Sequence, residues 1–300
     1  MRYDILPSSR ISLGVKILEF INRIIDAHAH IYPDNLAKRA AETVSAISSR
    51  EVKHVGTVSE IKESGKRIGI KKQLVCSIAT KATQVETINT FIANSCKENP
   101  GFIGFATMRV DYDHIEIELE RIKELGLSGV KFHADYQQCE IDNLKAIEMY
   151  RKIAKAGLPI LFHMGNGRHI VSEPRQLKKA MDAVPDLIVI AAHFGGYVRW
   201  GNDVLCLKDI KQYLYFDTSS SLAYMSGDDT LKLIETFGED RFFFGTDFPM
   251  WDHMEELKRF LGLPLSDVQR EKILYLNFER FTDMLGNSKN LPRKNTDERI

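Results

Sequence analysis

The segment Asp26-Ala27-His28-Ala29-His30 places two imidazoles two residues apart, with only an alanine methyl between them. On an extended strand alternate side chains share a face, which sets such a pair about 6–7 Å apart along the chain. Two imidazoles so placed can grip one divalent ion. By itself the spacing fits two surface histidines equally well. Its meaning comes from three further places where an apolar run ends on a group able to bind a metal or carry a proton. Ile160-Leu161-Phe162 runs into His163, Ile190-Ala191-Ala192 into His193, and Phe243-Phe244-Gly245-Thr246 into Asp247.

The runs that deliver these groups repeat along the chain. Arg23–Asp26, Gln73–Ile78, Phe102–Thr107, Gly129–Phe132, Pro159–Phe162, Leu187–Ala192, Leu214–Asp217 and Arg241–Gly245 are short and largely apolar, as parallel strands covered on both faces are. Taking Asp26, Ile78, Thr107, Lys131, His163, His193, Asp217 and Asp247 as strand ends, the intervals are 52, 29, 24, 32, 30, 24 and 30 residues. A strand–helix–strand unit needs about 30 residues, so the expectation is an α/β fold, a (β/α)8 TIM barrel. Active sites of such barrels lie at the carboxyl ends of the strands, where these polar residues fall. Helical periodicity is evident at Thr83–Lys97, Ile115–Leu125, Asp142–Ala156 and Asp267–Leu285. Ser266 three residues before Gln269 has the spacing of a capping box opening the last of these. The long first interval predicts inserted helix or a lid at Tyr32–Ser64. Residues 1–22 read as an N-terminal extension, 23–286 as the barrel, and the polar 287–300 as a tail.

Together, Asp26-Ala-His28-Ala-His30, Leu161-Phe162-His163, His193-Phe194-Gly195-Gly196 and Gly245-Thr246-Asp247-Phe248-Pro249, with the terminal Leu263–Phe281 segment and its Asn277, resemble the amidohydrolase superfamily. The resemblance covers roughly residues 24–286. It is closest to the amidohydrolase-related branch that includes aminocarboxymuconate-semialdehyde decarboxylase. It implies one divalent ion held by His28, His30, His163 and Asp247, with a position left for a water whose pKa the ion lowers toward ~7. The ligand types favour Zn2+ and suit Mn2+ or Fe2+ as well. The same resemblance gives His193 contact with that water and a proton-transfer role, gives Asp247 a combined role in ligation and proton transfer, and leaves Asp26 to fix a histidine or a turn.

Around this set lie residues with weaker claims. Lys131, at the fourth strand end, occupies the place where binuclear relatives carry a bridging carboxylated lysine. The alternative is a cation near the substrate or an ordinary ion-pair partner. His133 shares its side of that strand and can line the pocket. Arg168 and Arg199, on the loops after strands five and six, are candidates for clasping a substrate carboxylate, against the alternative of surface ion pairs. Tyr32, Phe248 and Trp251 can wall the pocket, while His54, His114, His169 and His253 are expected to be solvated or structural. Ser219–Ser221 lacks the Gly-x-Ser-x-Gly context of a nucleophile elbow.

Composition narrows the partners. Forty-one basic and 41 acidic residues cancel, so no net field draws the chain to nucleic acid or an anionic membrane. No apolar run approaches the ~18–20 residues of a spanning helix. Cys76, Cys96, Cys139 and Cys206 are isolated, which excludes cysteine zinc knuckles and Cys-x-x-Cys redox motifs and suits reduced thiols in the cytoplasm. A small-molecule substrate is therefore expected, and the resemblance adds a homodimer as the assembly. The leading expectation is hydrolysis, with metal-activated water attacking a carbonyl-type bond of a small polar metabolite. Non-oxidative decarboxylation of a small unsaturated or aromatic acid on the same residues competes with it. A non-catalytic binding barrel is the third alternative.

Overall fold

In a computed structural model, residues 20–48, 52–165, 170–210 and 213–287 are described. Eight strands form one parallel sheet in chain order: β1 Ile25–His30, β2 Lys72–Cys76, β3 Phe102–Thr107, β4 Gly129–Phe132, β5 Ile160–Phe162, β6 Val189–Ala191, β7 Leu214–Asp217 and β8 Phe242–Phe243. The sheet closes on itself. Beyond β8 the chain stays beside β1, with Ala27 N–H bonded to Phe244 O at 2.8 Å, Asp247 N–H to His28 O at 2.8 Å and His30 N–H to Phe248 O at 2.6 Å. The expected (β/α)8 barrel is thus the fold.

The strands are apolar because both faces are covered. β5 and β6 are buried throughout, and Phe132, Phe162, Phe216, Phe242, Phe243 and Phe244 are each at most 1% exposed. Burial of such a side chain contributes ~1.5–3 kcal/mol. Gly129 is required where β4 begins, since a Cβ there would lie 2.5 Å from the Phe105 ring.

β1 departs from expectation in an instructive way. It runs to His30 instead of ending at Asp26, because its far half pairs both with β2 and with the segment after β8. Its register against β2 shifts between Asp26 and Ala29, a bulge that inserts one extra residue. The interval after β1 holds helices Asp34–Ser48 and Val58–Lys66, the second opened by a Thr57/Glu60 capping box. The helices expected between later strands are Val85–Glu98, Ile115–Glu124 and Leu144–Lys155. The last expected helix is interrupted by a π-helical turn at Lys272–Leu276, between Asp267–Glu271 and Asn277–Gly286, with the Ser266/Gln269 capping box in place. A helix not anticipated, His253–Leu261, follows β8 and is capped by Asp252, which accepts from Met254 N–H at 3.0 Å and Glu255 N–H at 3.3 Å. Apart from residues 20–22 and 287, the expected N-terminal extension and tail lie outside the described residues.

Candidate metal centre

At the carboxyl ends of the strands, His28 and His30 on β1 bring their Nε2 atoms within 3.2 Å of each other. Asp247, on the loop after β8, places Oδ1 3.5 Å from His28 Nε2 and 3.3 Å from His30 Nε2. In a tetrahedral site with bonds of about 2.0–2.1 Å, neighbouring donor atoms lie roughly 3.3–3.4 Å apart. The three atoms therefore already span one face of a metal tetrahedron. Among the described residues, His28, His30 and Asp247 form one of three clusters able to hold an ion.

The partner of one ring nitrogen sets which nitrogen each imidazole turns inward. His28 Nδ1 faces the Asp217 carboxylate at 2.9 Å, which fixes the proton on Nδ1 and leaves Nε2 with a lone pair. Cys76 gives its thiol hydrogen to Ala29 O, so its sulfur can accept from His30 Nδ1 at 3.6 Å, and His30 Nε2 is the nitrogen left facing Asp247. His193 Nδ1 lies 3.1 Å from Ser219 O, a pure acceptor, so His193 Nε2 must accept from His163 Nδ1 at 2.9 Å. His163 is then left with a lone pair on Nε2. His163 does not join His28, His30 and Asp247 in their cluster; it meets the centre through His193.

Asp217 and Ser219 are the fixing residues that sequence reasoning missed. Asp217 is fully buried, anchors His28, and accepts the His193 and Ser219 backbone N–H groups, both at 3.0 Å. Ser219 Oγ donates to Asp217 Oδ1 at 2.5 Å and stands 3.0 Å from the Nδ1 atoms of both His28 and His193. The signal for Asp217 was available: like Asp247, it is a carboxylate at the end of a predicted strand. Ser220 bonds Asp247 Oδ2 at 2.6 Å and accepts from the Trp251 indole at 2.9 Å. His193, Ser220 and Asp247 all adopt left-handed backbone, with φ of 60°, 53° and 60°. Such strain, on the order of 1–3 kcal/mol per residue, is held in place here by these bonds. Gly245 keeps the floor open, since a Cβ would press on Cβ atoms of His28, Asp217 and Ser219 at 3.2–3.4 Å.

The electrostatics favour a cation between Asp247 and His30. Burial works against both charges. Even so, His28, His30 and His193 hold the Asp247 carboxyl well below its ordinary range, while Cys76 and Asp247 lift His30 to about 9. Burial likewise opposes the Asp217 charge, yet His28, His193 and Ser219 bring its pKa to about 2. His193 is pushed down to about 4 by burial and is a neutral imidazole at neutral pH. Lys131 is fully buried with Nζ 3.0 Å from His28 Nε2, and burial, the dominant influence, depresses its pKa.

The other candidates sort by position. Asp26 accepts from His28 N–H at 3.1 Å, Thr246 N–H at 3.0 Å and Thr246 Oγ at 2.6 Å, tying the paired histidines to the Asp247 loop. His253, buried as a structural group, stands 3.1 Å from Asp26 Oδ2. His133 stacks on His163 with centroids 3.8 Å apart and planes 8° apart. With Asp135 they form another of the three clusters, yet parallel rings aim their in-plane lone pairs alongside each other, which makes a poor chelate. The remaining cluster, His28, His193 and Asp217, is the hydrogen-bonded network just described. Arg199 lies 3.2 Å from Glu173 and is 40% exposed, so it is paired outside the histidine cluster. Arg168 and His169 lie outside the described residues. Phe248 is buried, and His54 packs against it at 4.9 Å.

A barrel carrying this polar cluster at its strand ends belongs to a known family. The family model described as Amidohydrolase matches residues 25–281, and the chain is a member of that family. No curated protein matches it significantly. Among solved structures, the chain is similar to a dihydroxybenzoic acid decarboxylase from a Polaromonas species with bound manganese and 2-nitroresorcinol, at 16% identity and TM-score 0.67, covering 91% of this chain and 100% of that one. It is similar to the 5-carboxyvanillate decarboxylase of Novosphingobium aromaticivorans, complexed with manganese and 4-hydroxy-3-methoxy-5-nitrobenzoic acid, at 14% identity and TM-score 0.69, covering 87% and 96%. An uncharacterised TIM-barrel protein from Bordetella bronchiseptica is 20% identical with TM-score 0.69, covering 88% and 99%.

Proposed function

We propose that this chain is a metal-dependent carboxy-lyase that removes the carboxyl group of a small aromatic or unsaturated acid as carbon dioxide. The observation that carries the reading is a cation-seeking face made by His28, His30 and Asp247 beside a neutral imidazole, His193. His163 stands outside that face and is linked to it through His193. A divalent ion bound there supplies Lewis-acid stabilisation of negative charge on the substrate's oxygens. The rest falls to the chain. Decarboxylation breaks the bond to the carboxyl carbon and needs one proton delivered to the carbon left behind. That proton comes from solvent, and Asp247, held on Oδ2 by Ser220, and His193, neutral through burial, are the groups placed to relay it. Asp217 and Ser219 keep His28 and His193 oriented. The manganese-bound decarboxylases among the structural neighbours support this chemistry over the hydrolysis first expected.

Hydrolysis on the same residues is the second reading, favoured by the description of the family to which the chain belongs. One assay separates them. Manganese-loaded protein offered a panel of hydroxylated aromatic acids is expected to release one carbon dioxide per acid consumed, with at least a 100-fold loss in His193→Ala. Acid release from amide or lactone substrates, with no carbon dioxide from any acid, would replace the proposal with hydrolysis.

A further inference from the structure

His133 is an unexplained buried group at the edge of the metal centre. It is 7% exposed, and its Nδ1 has no hydrogen-bond partner. Leaving such an atom unpaired costs ~1–3 kcal/mol, so its retention calls for a reason. The ring is nonetheless held firmly. It lies between His163, at 3.8 Å and 8°, and Tyr136, at 4.1 Å and 31°. Its backbone N–H is bonded to Gln137 Oε1 at 3.0 Å, and Gln137 in turn donates to Met108 O at 2.7 Å and Ala79 O at 3.3 Å. The turn after β4 is thereby anchored to the chain following β2 and β3.

The stack on His163, whose Nδ1 lies 2.9 Å from His193 Nε2, sets the ring beside the residues of the centre. Its Nδ1 edge faces the Asp135 carboxylate, 3.7 Å from Oδ2. That is too long for a hydrogen bond but close enough for the carboxylate to favour a proton on Nδ1. The opposite edge then carries Nε2 with a lone pair, an acceptor on a rigid ring.

We propose that His133 is a specificity-determining residue whose Nε2 accepts a hydrogen bond from a hydroxyl group of the acid bound at the metal centre. This rests on the carboxy-lyase reading and adds to it a requirement: the preferred acid carries a hydroxyl donor in addition to its carboxylate. Sites built to hydrogen-bond a substrate hydroxyl discriminate strongly against the analogue that lacks it.

The test measures binding of benzoate and of each mono- and dihydroxybenzoate to the manganese-loaded full chain. His133→Phe retains the stack and removes the acceptor; Asp135→Asn retains the shape and weakens the tautomer bias. The parent is expected to prefer at least one hydroxylated acid over benzoate by at least tenfold. His133→Phe should bring that ratio near one with benzoate affinity and manganese content unchanged, and Asp135→Asn should fall between. A preference that persists in His133→Phe, as it would if the hydroxyl contacted only the ion, overturns the proposal, and so does equal weakening of every ligand. His133-dependent discrimination without carbon dioxide release would support the subsite while removing the carboxy-lyase reading. Absence of binding by any of these acids to the parent would remove both.

Discussion

Each imidazole nitrogen turned toward the candidate centre depends on the partner of its other nitrogen, so the residue scale is where the chemistry is set. Asp217 is the clearest case. Its carboxylate fixes the His28 tautomer and at the same time holds the His193 backbone in a left-handed conformation. Asp217→Asn keeps the shape but weakens the hold on His28 Nδ1–H. It is expected to lower divalent-metal affinity by about 10–100-fold, read by competition with a chelating indicator. Unchanged affinity would show that His28 needs no such anchor. His163, His193 and Asp247 were legible in the sequence because each ends an apolar run, and His28 and His30 because of their paired spacing. Asp217 ends one too, but its importance lies in which imidazole it meets across the barrel, and spacing along one strand does not carry that. Ser219 was visible only as the wrong motif for a nucleophile, whereas its role is to bridge two imidazoles.

Among the elements, the strands were the most legible part, since two covered faces demand apolar runs and the connection length fixes their order. What spacing could not give was the bulge in β1, which depends on pairing to both neighbours, or the helix His253–Leu261, which packs against the helix Val58–Lys66 from the first interval. That helix carries a prediction of its own. Glu256 is fully buried, its Oε2 has no hydrogen-bond partner, and burial raises its pKa to about 7 despite the Arg259 guanidinium bonded to it. A carboxyl whose folded pKa lies above its unfolded value of about 4.5 favours folding in its protonated form. That contribution is complete below about pH 4.5 and is lost as pH rises through 7. The parent should therefore lose ~2–3 kcal/mol between pH 5 and pH 8 relative to Glu256→Gln, as measured by urea unfolding at each pH. Parallel pH profiles for the two proteins would show that the Arg259 contact keeps Glu256 ionised throughout.

For the molecule as a whole, the barrel is the device that brings distant sequence together. His28 and Asp247 are neighbours because the chain after β8 closes against β1, and His163 and His193 meet because β5 and β6 are adjacent. Closure was expected from eight strands whose intervals after the first run from 24 to 32 residues. Which expected ligands would stand together was not, and His163 is joined to His193 while donor atoms of His28, His30 and Asp247 stand 3.2–3.5 Å apart. The most direct measurement is the metal content of the full chain after exposure to manganese, zinc or ferrous iron, set beside a His28→Ala plus Asp247→Asn variant shown to be folded by circular dichroism. About one ion per chain in the parent and almost none in the variant is the predicted result. No bound ion in the parent under any of these metals, or full retention in the variant, would contradict a metal centre at these residues.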